Sequence, residues 1–134
     1  MIGKGFAVIK KLNQKSCTNI IVVYAFDTLE ETFGYNLDRT CNEIRATYSY
    51  DISCQGTVPE SIIAFLESTD DDSAIRLTIS LRGDADTMEA ITGGIAEAYY
   101  GGVPTAIREE VLKRLPDEFV TVMREFSITK LKCK

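Results

Sequence analysis

The sequence predicts an all-α fold, a compact orthogonal bundle of short helices forming one domain over residues 1–134. Three observations predict it. Apolar residues recur at helical spacing in successive short segments. Glycines and prolines punctuate those segments, among them Gly34, Pro59, Gly101, Gly102, Pro104 and Pro116. Apart from the β-branched run Ile20 to Val23, nothing alternates with period two. A domain of this length hides roughly 68–70% of its unfolded surface, enough for a real core.

Residues 5–14 can form a short amphipathic helix. In residues 18–34 the run at Ile20 favours a strand, whereas Leu29 and Phe33 stand one turn apart and Gly34 suits the end of a helix. A helix over Thr28 to Phe33 is the preferred reading. "NLDRTCNEIRATY" reads as a helix opening near Asp38. In "TVPESIIAFLES", Thr57 can cap, Pro59 falls in the first turn and Glu60 completes a capping box, with Ile62, Ile63 and Leu66 along one face. "DDDSAIRLTIS" gives a helix behind an acidic cap, with Ile75, Leu77 and Ile79 as core candidates. "TDDD", Thr69 to Asp72, reads as that cap.

Next comes "RGDADTMEAITGGIAEAYYGG". Asp86 is the expected cap, with Glu89 three residues on. Met88, Ile91, Ile95 and Tyr99 make a bulky stripe, and Ala90, Gly94 and Ala98 a small one. The Gly93–Gly94 pair costs about 1 kcal/mol per residue in a helix, so a second backbone is expected close by. Gly101 and Gly102 end the helix. Another starts at Pro104 and stops before Pro116. A last one over "DEFVTVMREF" is expected to turn Phe119, Val122, Met123 and Phe126 inward.

Composition excludes several functions. Net charge is −5, so an acidic chain without a basic stripe is no candidate for nucleic-acid binding, and the terminal "KLKCK" reads as a solvated tail. The longest apolar run, Ile20 to Phe26, falls short of the ~20 residues that cross a bilayer, so no membrane span is expected. The start has a charge inside its apolar part and no small-residue cleavage site, and a cytoplasmic protein is expected. Cys17, Cys41, Cys54 and Cys133 are scattered and read as free thiols. The chain has no histidine, which removes Ser-His-Asp and Cys-His chemistry and leaves acid–base work to Asp, Glu, Lys, Tyr or a metal-bound water.

Asp84, Asp86 and Thr87 form D-x-D-T. Two carboxylates at i and i+2 with a hydroxyl can converge on a hard cation. A helix N-terminus attracts carboxylates through its dipole as well, and spacing leaves both readings open. "SCQGTVPE" feeds a helix N-terminus, so Ser53, Gln55 and Gly56 either cap it or face an anionic ligand. Tyr99 either packs or stacks on a base or ribose.

The G-D-x-D-T core, the following A-I-x-G-x-I-A-x-A-Y-Y-G and the accompanying S-C-Q-G-x-V-P-E resemble the C-terminal part of the ADP-ribosylglycohydrolases. That family includes the dinitrogenase-reductase-activating glycohydrolases and is akin to crystallin J1. The resemblance covers residues 33–126 and leaves 1–32 unassigned. It implies an all-α fold and a dinuclear Mg²⁺ or Mn²⁺ centre. It implies hydrolysis of the bond between ADP-ribose and an acceptor, with ADP-ribose or an ADP-ribosylated protein as partner. By resemblance Asp84, Asp86 and Thr87 are metal ligands, and the chain's own residues offer Ser53, Gln55, Gly56, Arg82 and Tyr99 as substrate-binding candidates. Arg82 stands where the family usually has glycine. The family's other ligand motifs, G-D-x-x-G and an acidic T-D-D, have no counterpart before Phe33. The resemblance therefore implies a truncated fold, metal binding that is weak or absent, and inactivity of the chain alone. The alternative is a non-catalytic module that forms a homo-oligomer or docks on a partner supplying the missing half.

Overall fold

The computed structural model describes residues 28–132, with side chains as far as 127. The expectations for residues 5–14, for Ile20 to Val23, and for Cys17 and Cys133 lie outside those residues. Every regular element among the described residues is helical: α1 (28–33), α2 (Cys41–Thr47), α3 (Cys54–Glu67), α4 (Asp71–Leu81), α5 (Ala85–Tyr100), α6 (Thr105–Arg114) and α7 (Asp117–Lys132). The described residues divide into two compact units, the first ending at Gly102 and the second beginning at Val103.

In the first unit α3, α4 and α5 pack on one another, and α2 lies on α3 and α4. Gly34, at φ 69°, ends α1 by donating its N–H to the Glu30 carbonyl at 2.9 Å. Helix α2 opens at Thr40, not near Asp38. Thr40 and Glu43 close a reciprocal capping box there, which fixes the start two residues later.

Helix α3 also differs from the sequence reading. Its cap is Ser53, whose hydroxyl accepts the Gly56 N–H at 3.1 Å, while the Ser53 carbonyl accepts the Thr57 N–H at 2.9 Å. Thr57 and Pro59 therefore sit inside the helix. Pro59 has no N–H for the Gln55 carbonyl one turn back. Residues Pro59 to Phe65 are all buried, as befits a helix enclosed by neighbours.

Helix α4 is capped by Asp70, which accepts the Ser73 N–H at 2.7 Å, as the acidic start predicts. The buried face is not the expected one. Asp71, Ala74, Thr78 and Leu81 are buried, whereas Ile75 and Leu77 are half-buried and Ile79 is exposed. Spacing of three and four selects the buried set, and 75, 77 and 79 follow a period of two that a helix cannot bury.

On α5 the buried residues are Met88, Thr92 and Ala96. The small stripe Ala90, Gly94 and Ala98 faces solvent. Among the described residues, nothing stands within 4 Å of a Cβ on Gly94, and a Cβ on Gly93 would meet only the Ile75 side chain, at 3.2 Å, so no second backbone of theirs lies against the pair. Gly101 ends the helix at φ 89°.

Two apolar clusters hold this unit. Cys41, Ile44, Ile63, Ala64, Leu81 and Met88 form one, with Leu37, Tyr48 and Leu77 against it. Phe65, Ala74 and Ala96 form the other, with Leu66, Ile95, Tyr99 and Tyr100. Hydroxyls bridge the helices between them. Thr78 Oγ1 lies 2.9 Å from the Ala74 carbonyl oxygen and 3.0 Å from Thr92 Oγ1. Thr92 donates its own proton to the Ser61 carbonyl at 3.1 Å. Residues Ser61, Thr78 and Thr92 are fully buried, so these bonds fix how α3, α4 and α5 meet.

The second unit carries α6 and α7. Helix α6 starts at Pro104 and ends before Pro116, as its prolines dictate. The inward turn expected of α7 is not found: Phe119, Val122, Met123 and Phe126 are all exposed. They do lie at helical spacing, but a stripe is buried only where a neighbour covers it.

Candidate metal centre

Helices α4 and α5 are joined by a reversal over Arg82, Gly83 and Asp84. Arg82 has φ 67° and ψ −153°, and Gly83 has φ 77°. Glycine adopts positive φ freely. Arginine does not, and the region Arg82 occupies is essentially reserved for glycine. Space matters too at Gly83. A Cβ there would run into Cε1 of Tyr48, with Cζ and Cδ1 at 3.2 and 3.3 Å.

Asp84, half-buried, is the N-cap of α5, and Asp86 and Thr87 stand exposed in its first turn. The expectation that Asp86 caps the helix is thus corrected: the helix begins two residues earlier. Nor does Asp84 cap with its side chain. Thr40, Ser53 and Asp70, at the N-caps of α2, α3 and α4, each accept a backbone N–H. The Asp84 carboxyl instead lies beside that of Asp86. Asp86 is held below the usual carboxylate range, first by its contact with Asp84 and then by the N–H groups of Thr87 and of Asp86 itself. The two carboxyls are therefore neighbours at the start of α5.

Oxygen donors of this kind suit a hard divalent cation such as Mg²⁺ or Mn²⁺. Among the described residues no group of three or more His, Cys, Asp or Glu side chains gathers as a metal site. The residues present thus fit such an ion in donor chemistry, and Mg²⁺ on so few protein oxygens would keep much of its coordination as water.

Of the other predicted residues, Arg82 adjoins this pair through the chain. Ser53, Gln55 and Gly56 form the first turn of α3, and its N-terminus already holds an anion. Asp51 Oδ1 accepts the Ser53 N–H at 2.7 Å, and a Cβ on Gly56 would overlap the Asp51 carboxylate. The Ser53 backbone and then its side chain hold Asp51 below the ordinary range. Tyr99 lies near the opposite end of α5, about 22 Å along the helix from Asp84 at 1.5 Å per residue. Its ring meets Phe65 edge-on at 5.3 Å and Tyr100 at 5.0 Å. The Tyr100 hydroxyl shares a hydrogen bond with Ser68 at 2.8 Å. The structure brings Asp84 and Asp86 together and leaves Tyr99 apart from them.

Three further residues, Tyr48, Glu60 and Asp51, stand close to this turn. Tyr48 donates its hydroxyl to Met88 Sδ at 3.6 Å. Burial pushes its phenol up, and the charges of Glu60, Asp51 and Asp84 add to the effect. Glu60 is buried on α3 and receives the Arg39 Nη2 at 2.8 Å. Burial raises the Glu60 carboxyl, and Arg39 pulls it back by hydrogen bond and charge. Asp51 did leave a signal, an Asp two residues before a Ser cap, which is the Asx-turn pattern. Tyr48 left none, because its partners lie 35 and 40 residues away in the chain.

The family model for ADP-ribosylglycohydrolase matches residues 8–129. No curated protein and no solved structure matches. The family match covers far more than half of the 134 residues, its helical character agrees with the described fold, and the chain belongs to the ADP-ribosylglycohydrolase family.

Proposed function

We propose that this chain serves a metal-dependent hydrolysis of the bond between ADP-ribose and its acceptor on a modified protein, with Asp84, Asp86 and Thr87 as ligands of Mg²⁺ or Mn²⁺. One observation carries the reading. Asp84 occupies a helix cap and leaves it unused, its carboxyl turned to that of Asp86. A carboxylate pair concentrates negative charge that a divalent cation neutralises. A bound cation supplies Lewis-acid polarisation of a substrate oxygen and a site for water. The chain's own part is to hold two carboxylates and a hydroxyl at the open end of α5, where Asp86 and Thr87 are accessible to substrate. Three oxygen donors without further ligands bind the ion weakly, and the dinuclear centre implied by the family needs donors beyond the described residues.

Calorimetric titration with Mn²⁺, then with ADP-ribose, tests the reading. Submillimolar binding that disappears in Asp84→Ala and in Asp86→Ala supports it. Silence of the unaltered protein toward both ligands overturns it.

A further inference from the structure

We propose that Tyr48 is a positioning residue: its ring sets the conformation of the turn from Gly83 to Asp86, and thereby how closely the Asp84 and Asp86 carboxyls approach. The functional consequence rests on the cation reading above; the structural one does not.

Glycine has the widest backbone freedom of any residue, so a turn built on Gly83 needs something outside itself to select one conformation. Tyr48 touches the turn on both sides. Three atoms of its ring crowd the place where Gly83 would carry a Cβ. Its hydroxyl donates to Met88 Sδ at 3.6 Å, beyond the two aspartates in the first turns of α5. The segment carrying Asp84 and Asp86 is thus spanned by one rigid side chain.

Tyr48 is itself well fixed. It terminates α2 with its N–H on the Ile44 carbonyl at 2.8 Å. Helix α2 is anchored by buried Cys41 and Ile44, and the guanidinium of Arg45 reaches Ser80 Oγ on α4 at 2.7 Å. The ring also packs against the cluster that contains Leu81 and Met88, the residues flanking the turn. Movement of Gly83 toward another positive-φ conformation would have to displace an aromatic ring held by that core.

The ring, not the hydroxyl, makes the contact with Gly83. Sulfur is a weak acceptor, so losing the bond to Met88 is a small change. Tyr48→Phe should therefore behave like the unaltered chain, and Tyr48→Ala should not.

The experiment compares the unaltered protein, Tyr48→Phe, Tyr48→Leu and Tyr48→Ala by amide NMR and by Mn²⁺ titration. Far-UV circular dichroism reports that each is folded. In Tyr48→Ala the amide resonances of residues 83 to 87 should move. Its Mn²⁺ dissociation constant should rise by about 10–100-fold, the usual effect of losing a group that orients metal ligands. Tyr48→Phe keeps the ring and should leave both readouts as in the unaltered protein. Should Tyr48→Ala fail to fold, Tyr48→Leu fills the space without the flat ring, and the same shifts are expected of it. Unmoved amides with unaltered Mn²⁺ affinity in folded Tyr48→Ala or Tyr48→Leu would overturn the proposal and leave the cation reading standing. An unaltered protein that ignores Mn²⁺ would overturn the cation reading, while the amide shifts would still decide whether Tyr48 sets the turn.

Discussion

Arg82→Gly should stabilise the protein. Arg82 has φ 67° and ψ −153°. A residue with a Cβ held in that region costs about 1–3 kcal/mol. Glycine removes the strain and brings an opposing effect, because it loosens the unfolded chain by about 0.4–1 kcal/mol. The difference is a net gain of about 1 kcal/mol. The side chain of Arg82 is exposed, so little packing is lost with it. For a chain of 134 residues, between the two size classes, a gain of that size raises the melting temperature by roughly 4 °C. Urea unfolding followed by circular dichroism measures it, with Arg82→Ala as the control. Alanine keeps the Cβ and the strain, and should unfold at nearly the same urea concentration as the unaltered protein. Glycine should unfold later than both. If Arg82→Gly were no more stable than Arg82→Ala, the backbone at this position would not be strained.

Three further outcomes are expected. Arg39→Ala leaves the buried Glu60 carboxylate alone and should cost about 2–3 kcal/mol, below the range for a fully buried pair because Arg39 is one-third exposed. The folded pKa of Glu60 already lies above its ordinary value. Its contribution is therefore fully present below the unfolded pKa and is lost as pH rises through the folded one; losing Arg39 raises the folded value further, so the deficit should be larger at about pH 8 than at about pH 5 in urea titrations. Thr92→Val removes the hydroxyl shared by Thr78 and Ser61 at similar volume and should cost about 1–2 kcal/mol by the same assay. Burial, then the charge of Glu67 and a hydrogen bond to it, push the Cys41 thiol up to about 12. Iodoacetamide followed by peptide mass mapping should accordingly find the exposed Cys54 labelled in the folded protein and Cys41 unlabelled until urea is added.

The helical class was legible because its punctuation is local. Gly101 at positive φ, Pro104 at the start of α6 and the acidic cap at Asp70 all act within a turn of themselves. Helix starts at Ser53 and Asp84 were less legible, since each competes with a second plausible cap a few residues on, Thr57 and Asp86. Which face is buried was harder still. Ile79 and Phe119 are large and apolar yet exposed, whereas Thr78 and Thr92 are polar and buried, because the outcome depends on where neighbouring helices lie. The candidate ligands could be read from D-x-D-T. That their carboxyls face one another could not, since it depends on the positive φ at Arg82 and Gly83. The role of Asp51 at the start of α3 shows the same limit: the loop's capacity for an anion was visible, but not that the chain itself supplies one.

The turn that carries Asp84 and Asp86 is bounded by Leu81 and Met88, both buried in one cluster with Ile44 and Ile63. Its ends are thus fixed by apolar packing that owes nothing to an ion. Two arrangements of a metal site make opposite predictions. Where ligands gather only around the metal, binding orders the chain and its free energy appears as folding. Where a core gathers them first, binding leaves the helices as they were and only relieves the repulsion between charges. With Leu81 and Met88 buried on either side of the turn, this chain belongs to the second kind. Far-UV circular dichroism recorded during the Mn²⁺ titration should then stay flat. The melting temperature should rise with metal concentration, by mass action on the folded state. A gain in helical signal on adding Mn²⁺ would mean that the first turn of α5 is unformed without the ion, and that Leu81 and Met88 do not hold it.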